Sequence, residues 1–286
     1  IGRLTQAAIA DGTDPGSCCR FYKEGGLKQF MGNLFDFKVV FTNIPEILKY
    51  LPVTMELALS AMAASLVLGL LLALVKVRQV PVLKPLVNVF ISVIRGTPVL
   101  VQLYVTYFGI PMLLKYLAYK NGTEYNASAV PPIIFAFIAL AINESAYNAE
   151  TIRAAIQSVD RGQIEAATSL GMTGWQTLTR ITLPEAIPVA LPNLGNSFIA
   201  LIKGPSLAFV CAVVDMTAAG KIIGGRTYRY FEVYVSLALI YWVITIVVEQ
   251  LLKILEKKIA IPDDSPTVKR DAAKLTQDLP VQSSEV

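Results

Sequence analysis

The chain of 286 residues contains no histidine. This absence excludes histidine general acids and bases, Ser-His and Cys-His nucleophile pairs, and histidine metal sites. Charged residues are also scarce, at 16% against 54% hydrophobic residues, whereas a soluble domain usually carries about a quarter charged residues. Most hydrolytic chemistries are therefore excluded, and the composition is that of a protein whose main solvent is not water.

Cysteine is rare as well, with three in the chain. Cys18 and Cys19 are adjacent and poorly placed to bridge with each other, and Cys211 lies in an apolar run, where a cysteine usually acts as a small hydrophobe. The sequence predicts neither a disulfide framework nor a metal site. The net charge of +4 does not indicate nucleic acid, because cytoplasmic membrane proteins are often basic at their inner loops.

Long apolar stretches, in contrast, occupy much of the chain, and five of them are long enough to cross a bilayer. We therefore predict an all-α, polytopic membrane domain with five transmembrane helices over 53–258. A loop at 157–184 connects the third span to the fourth. The predicted spans are about 53–76, 86–114, 131–156, 185–214 and 232–253.

Three segments flank this predicted domain. Residues 1–30 precede the first methionine and are polar and glycine-rich, so we interpret them as a translated leader or a disordered extension. Residues 31–52 are predicted to form an external interfacial segment, with a short helix capped by Asn43 and ended by Pro52. Residues 259–286 are polar and contain proline, which favours a disordered cytoplasmic tail.

The distribution of lysine and arginine indicates the orientation in the membrane. One side of the predicted domain carries Lys76, Arg78, Lys84, Arg161, Arg180, Lys253, Lys257 and Lys258. The other side carries Lys115, Lys120, Lys221, Arg226 and Arg229. Since the first side is more basic, we predict that it is cytoplasmic, with the N-terminus outside and the C-terminus inside.

The predicted cytoplasmic loop contains two helix-capping patterns. Asp160 followed by Gln163 is typical of a helix start, and Gly171 is typical of a left-handed helix stop. Thr173 with Gln176 repeats the capping pattern for a second short helix. A short, capped helix held between two spans is suited to docking with a partner.

The same loop also contains a spaced set of residues: Glu165, Ala166, Ala167, Gly171, Ile181, Leu183 and Pro184. This set resembles the signature loop of bacterial ABC-importer permeases, and we call these the signature residues. Two further segments, RGTPVLVQ at 95–102 and AYNAETIR at 146–153, resemble the polar amino-acid branch of that family, the histidine, glutamine and cystine type. The resemblance covers the whole predicted membrane region.

This resemblance implies a type-1 ABC importer permease fold in the cytoplasmic (inner) membrane of a bacterium. The implied partners are ABC ATPase subunits that receive the signature loop, an extracellular or periplasmic amino-acid-binding protein, and a second permease chain, identical or not. The chain has no G-x-x-x-x-G-K-[ST] motif, so ATP is expected to be used by a separate ATPase. The permease itself is expected to bind no cofactor and to be no enzyme.

Charged residues inside the spans are candidates for function. Glu150 and Arg153, three residues apart, are predicted to form a structural pair. Glu144 and Lys203, at predicted depths of about 20 and 17 Å, are expected to share one level and to meet the two ends of an amino acid. An ion pair between Glu144 and Lys203 is the alternative. Further hydrogen bonds along this path are expected from Asn143, Asn196 and Ser206.

A second function from another class stays open at this point. A stand-alone channel or ion-coupled secondary transporter would use intramembrane charges as a relay. The candidates for that relay are Glu144, Glu150, Lys203 and Asp215. The four residues Lys203-Gly204-Pro205-Ser206 resemble cystine-type permeases, but the sequence does not name the amino acid carried.

Overall fold

The computed structural model of the chain describes residues 35–123 and 130–259. The predicted leader at 1–30 and residues 260–286 of the predicted tail lie outside the described residues. The regular structure in the described ranges is helical. Its α-helices are α1 (Phe37–Leu48), α2 (Leu51–Val77), α3 (Leu83–Gly96), α4 (Val99–Lys120), α5 (Pro132–Ser158), α6 (Arg161–Ser169), α7 (Gly174–Thr177), α8 (Leu183–Lys203), α9 (Met216–Thr227) and α10 (Tyr230–Ile259). A π-helical turn (Leu178–Thr182) precedes α8 and a 3-10 helix (Gly204–Cys211) follows it.

Five helical segments of the described chain are long and apolar enough to cross a membrane. They are α2, α4, α5, the segment Gly174–Lys203 that ends with α8, and α10. The predicted all-α architecture with five spans is therefore confirmed. Two of the spans, however, have different bounds from those predicted.

The second span is not the continuous segment 86–114. Helix α3 ends at Gly96, α4 begins at Val99, and the candidate span is Val99–Lys120. The cause is Pro98, whose ring disfavours helical backbone at the preceding residue. Thr97 accordingly has the extended angles φ −114° and ψ 141°. The polar break predicted at 95–98 thus separates two helices.

The fourth span ends earlier than the predicted 185–214. Helix α8 stops at Lys203, and the chain continues as the 3-10 helix and then turns at Ala212, which has φ +58°. Gly204 has a low helix propensity, and Pro205 has no N–H to donate to the carbonyl of Leu201. Lys203 therefore lies at the end of its α-helix and not in its interior.

The interfacial helix also begins and ends earlier than predicted. Asp36, not Asn43, is the N-cap of α1, and its Oδ1 accepts from the Lys38 N–H across 2.9 Å. Asn43 is buried within the helix, which ends at Leu48. Pro52 lies in the first turn of α2, where the missing N–H of proline costs no hydrogen bond.

The centre of the bundle is the packed pair α2 and α5, against which α4 and α8 also pack. Small residues let the two backbones approach: a Cβ atom at Gly69 would lie 3.1 Å from the Ala149 nitrogen. In the same contact, Asn148 Nδ2 donates to Ser65 Oγ across 2.9 Å, and both side chains are buried. Because hydrocarbon offers no alternative partner, this bond favours one rotation of α5 against α2.

Candidate coupling loop and polar path

The signature loop, residues 157–184, holds the short helix α6 between the ends of α5 and α8. Asp160 caps α6, with its Oδ1 accepting from the Gly162 N–H at 2.9 Å. Gly171 follows the helix in the left-handed conformation, with φ +79°. Thr173 and Gln176 form a reciprocal capping box at the start of α7. Asp160, Gly171 and the pair Thr173 and Gln176 thus have the capping roles that the sequence predicts, whereas the structure shows no reciprocal bond from the Gln163 side chain at the start of α6.

Helix α6 is fixed on one face and open on the other. Ala167 is 2% exposed, whereas Glu165 and Ala166 are exposed. The Glu165 carboxylate lies within 4 Å of no lysine or arginine nitrogen in the described part of the chain. The remaining signature residues lie where the loop joins α8: Ile181 and Leu183 are half-buried and Pro184 is exposed.

The buried side of the loop joins α6 to two spans. Ile164 of α6 and Leu183 of α8 both pack against one apolar cluster. The cluster itself contains Ala155, Ile156, Val159, Ala186 and Ala190, from the end of α5 and the start of α8. Ile164 therefore gives α6 an apolar contact with the place where α5 ends and α8 begins.

Glu150 holds two cations at the loop end of the bundle. Its Oε2 lies 2.8 Å from Arg153 Nε, and its Oε1 pairs with Lys76 Nζ at the end of α2. Arg153 donates further to Gln157 Oε1. The structure thus brings Glu150 and Arg153 together, and it adds Lys76, which the sequence analysis did not include. The position of Lys76 in the last turn of the first span was the sequence signal that could have predicted this third member.

The residues expected along the substrate path are only partly brought together. Glu144 is half-buried in α5, and its carboxylate lies beside the Ser197 side chain of α8. Lys203 is exposed and has no carboxylate within 4 Å among the described residues, so the alternative of a Glu144–Lys203 ion pair is absent. Asn196 is exposed and Ser206 is half-buried.

Glu144 and Lys203 also differ in depth. Ser197 lies six residues before Lys203, which corresponds to about 9 Å along the axis of α8. The backbone positions of the two residues therefore do not share one level, and the common level of their charged groups stays a prediction. The depth of Lys203 was estimated from an α-helix that continued to 214, whereas the α-helix ends at Lys203 itself.

A polar network closes the break between α3 and α4. Gln102 Nε2 donates to the carbonyl oxygen of Ile94 across 2.8 Å and lies 2.7 Å from Thr97 Oγ1. Gln102 Oε1 accepts from Asn143 Nδ2 across 3.0 Å. The side chain of Gln102 thus satisfies a carbonyl that the broken helix leaves without a partner, and it joins the break to α5. The structure thus places Asn143, the residue before Glu144, in this network.

A polar cleft of about 480 Å³ lies between α3 and α5, beside this network. Its polar lining is Asn88, Ser92, Arg95 and Tyr147, and the Arg95 guanidinium stands 5.3 Å from the centre of the Tyr147 ring. Tyr147 follows Glu144 by three residues and shares its helix face. Sequence reasoning did not assign Arg95 to the substrate path, although an arginine in an apolar region without an acidic neighbour was a usable signal.

Asp215 has a structural task in this fold. Its side chain is fully buried and caps α9, with Oδ1 accepting from Ala218 N–H at 2.8 Å and Oδ2 from Thr217 N–H at 3.2 Å. Burial raises the pKa of the Asp215 carboxyl, and the two backbone hydrogen bonds oppose this rise. Within 35–123 and 130–259, no three metal-ligating side chains come together.

Comparison with known proteins gives concordant matches. Residues 65–261 match the family described as the binding-protein-dependent transport system inner membrane component. The chain is 39% identical over 230 residues to the probable amino-acid permease protein YxeN of Bacillus subtilis, covering 80% of this chain and 98% of YxeN. It is 36% identical to the L-cystine transport system permease protein TcyL of Bacillus subtilis, covering 80% of this chain and 93% of TcyL. A crystal structure of an amino acid ABC transporter with histidines is similar at 38% identity and a TM-score of 0.66, covering 78% of this chain and 99% of that chain.

Proposed function

The chain belongs to the family of binding-protein-dependent transport system inner membrane components, and from this we propose that it is the membrane-spanning subunit of an ATP-driven importer for a polar amino acid. Relatives whose names refer to amino acids, cystine among them, match this chain over nearly their whole length. The observation that carries the proposal is the signature loop, where an exposed Glu165 stands on a capped helix that packs on two spans. Cystine is the substrate that we favour.

The signature loop is the coupling element of this proposal. Glu165 and Ala166 face an ABC ATPase subunit, which binds and hydrolyses ATP as a separate chain. Ala167 and Ile164 hold α6 on the protein, so that movement of the ATPase displaces α5 and α8. The permease itself is no enzyme and binds no cofactor. A second permease chain, identical or not, completes the pore, and an external amino-acid-binding protein delivers the substrate.

The proposed location is the inner membrane of a bacterium, with the N-terminus outside and the C-terminus inside. The loop side carries Lys76, Arg78, Arg161 and Arg180, and the last turn of α10 carries Lys257 and Lys258. An excess of basic residues on one side is the usual sign of the cytoplasmic face.

The substrate path that we propose runs along α5 and α8. The carboxylate of Glu144, beside Ser197, binds the ammonium group of the amino acid. Two basic residues outside this contact are candidates for its carboxylate: Lys203, six residues after Ser197 on α8, and Arg95, at the end of α3 in the cleft with Tyr147. Neither is paired with an acid among the described residues. Asn143, directly before Glu144, and Asn196 and Ser206 are the candidates for further hydrogen bonds to the substrate.

The alternative, a stand-alone channel or ion-coupled transporter, has less support. Its relay would need a series of charged side chains across the membrane, each available to the transported ion. Glu150 is held by Lys76 and Arg153, and Asp215 is held by the first turn of α9. Two of the four charges in the relay are therefore already engaged.

The proposal is tested by coexpression with an ABC ATPase and an amino-acid-binding protein. We expect vesicles with the complete assembly to take up radiolabelled cystine only with ATP, and vesicles with the permease alone to take up none. Glu165→Ala should weaken ATPase association by about 10- to 100-fold at normal abundance in the membrane, because a charge-assisted contact is lost. Gln163→Ala, which changes another exposed residue of α6, is the matched control. Uptake by the permease alone would contradict the proposal.

A further inference from the structure

A groove of about 890 Å³ opens between the signature loop and the adjacent ends of α2 and α5. We call it the loop groove. Its floor is apolar and includes Leu74, Val77 and Ile156. Its polar lining includes Arg78, Arg161 and Trp175. None of these six residues is a proposed contact with the ATPase or part of the proposed substrate path, although Leu74, Val77 and Ile156 share the apolar cluster on which Ile164 packs.

The two arginines give the loop groove a positive charge that the chain itself does not neutralise. No aspartate or glutamate lines the groove, and neither Arg78 nor Arg161 has a carboxylate within 4 Å among the described residues. Asp160, the neighbour of Arg161, directs its Oδ1 to the first turn of α6 instead. In contrast, Lys76 and Arg153 near the same end of the bundle are both paired with Glu150. The loop groove is therefore suited to an anion.

The position of the loop groove selects a lipid as the source of that anion. Helices α2 and α5 are long and apolar enough to cross the membrane, and the groove lies where they end, so we place its mouth next to the membrane surface. Trp175 is 61% exposed there, and the Arg78 guanidinium stands 5.8 Å from its ring centre. Exposed tryptophan and arginine are typical of the interfacial layer of a bilayer. The apolar floor continues from the membrane-spanning part of α2.

We propose that the loop groove binds an anionic phospholipid, with the phosphate between Arg78 and Arg161 and the start of an acyl chain along Leu74, Val77 and Ile156. The signature loop is then held partly by lipid, and its position depends on the fraction of anionic lipid in that leaflet. This inference requires a chain that spans a membrane, but it requires neither an ATPase nor an amino-acid substrate. Its failure and the failure of the proposed function are therefore distinguishable.

The tryptophan content of the chain allows a direct test. The chain has two tryptophans, Trp175 and Trp242, so Trp242→Phe leaves the groove residue as the single tryptophan, which is excited selectively over the tyrosines. The full chain is placed in phosphatidylcholine nanodiscs that contain a rising fraction of either brominated phosphatidylglycerol or brominated phosphatidylcholine. We expect phosphatidylglycerol to quench Trp175 at about a tenfold lower fraction than phosphatidylcholine, because two basic side chains attract its headgroup. Equal quenching by the two lipids would overturn the proposal.

Variants then locate the site. Arg78→Gln combined with Arg161→Gln should abolish the preference for phosphatidylglycerol, whereas Arg180→Gln should leave it unchanged. Arg180 is the matched control because it is an exposed arginine of the same loop that does not line the groove. The ratio between the two lipids is measured within each variant, since loss of Arg78 removes a cation from the Trp175 ring and changes its own fluorescence.

Two further results would also reject the lipid. One is a preference that survives in the double variant. The other is a preference that millimolar inorganic phosphate removes, because the groove would then bind a free anion. Circular dichroism verifies that each variant is folded. If the double variant loses its helical signal, the single variant Arg161→Gln replaces it, with a partial loss of preference expected and an unchanged preference contradicting the proposal.

Discussion

Asn143 Nδ2 donates to Gln102 Oε1 across 3.0 Å, and this hydrogen bond ties the third membrane-spanning helix to the break between α3 and α4. The same Gln102 side chain also donates to the free carbonyl of Ile94. A helix break leaves backbone carbonyl groups without helical partners, and Gln102 satisfies one of them here. Asn143 directly precedes Glu144 in the sequence. The hydrogen bond to Gln102 therefore fixes a side chain next to the proposed substrate contact.

Replacement of Gln102 by leucine should therefore destabilise the whole bundle. Gln102→Leu leaves the Asn143 amide without its partner and the Ile94 carbonyl with only the 3.5 Å bond from Thr97 Oγ1, at an expected cost of about 1–3 kcal/mol in the free energy of unfolding. Thermal denaturation of the purified chain in detergent measures this cost. Gln250→Leu, an exposed position on α10, is the control and should change the midpoint little. Equal midpoints in the two variants would show that the network adds no stability.

The pair of Lys76 and Glu150 should be required for normal abundance. Glu150→Gln leaves two cations without their shared acid, and Lys76→Met leaves the acid with Arg153 alone. Because the three side chains are partly exposed, we expect each loss to cost about 1–2 kcal/mol. Quantitative immunoblots of membranes measure the abundance.

An exchange of the two charges distinguishes pairing from a role in transport. Lys76→Glu combined with Glu150→Lys restores the α2 to α5 contact but places the introduced lysine of α5 beside Arg153, so only partial recovery of abundance is expected. Single variants with full abundance and an altered preference among amino acids would assign Glu150 to the substrate instead.

Gly171 should control the order of the signature loop without affecting the spans. An added Cβ would meet no atom within 4 Å, so the cost of Gly171→Ala comes from the left-handed backbone alone, at about 1 kcal/mol. Hydrogen exchange in residues 172–177 should become about fivefold faster, since exchange follows the local opening equilibrium. Gly171→Asn should have a smaller effect because asparagine tolerates this conformation.

The control for this series is Gly174→Ala. Gly174 begins α7 with an ordinary helical backbone, and a Cβ there also meets no atom within 4 Å. Its exchange rate should stay close to that of the unchanged chain. The explanation would be refuted by equal acceleration in the two alanine variants.

Glu144→Gln should weaken substrate binding in the assembled transporter. The substitution keeps the shape and the contact with Ser197 but removes the charge proposed to bind the substrate ammonium. We expect the apparent KM for uptake to rise by about tenfold or more, because hydrogen bonds to charged groups contribute about 1.5–3 kcal/mol. Glu249→Gln, an exposed acid on α10, is the control. An unchanged KM and preference, or loss of the assembled complex, would argue against this site.

Several features of the protein could be predicted from local sequence alone. The five apolar stretches predict five spans, because bilayer thickness sets the length that each must have. The caps of the signature loop at Asp160, Gly171 and Thr173 were likewise predictable, since capping depends on residues within four positions of each other. Local sequence did not predict the helix start at Asp36 or the helix end at Lys203, and it predicted the break at Thr97 only as an interruption of one span. Proline does not define such boundaries by itself, because it is compatible with the first turn of a helix, with its interior and with its end.

Only the tertiary structure decided which polar side chains meet. Gln102 with Asn143, and Lys76 with Glu150, are pairs from different helices that lie far apart in the sequence. The separation of Glu144 from Lys203 follows from where α8 ends and how it rotates against α5. The sequence of an apolar stretch determines that a helix crosses the bilayer. It does not determine the rotation of that helix about its own axis, because several rotations bury the apolar side chains equally well. Close packing at small residues such as Gly69 then selects the rotation, and with it the partner of each polar group.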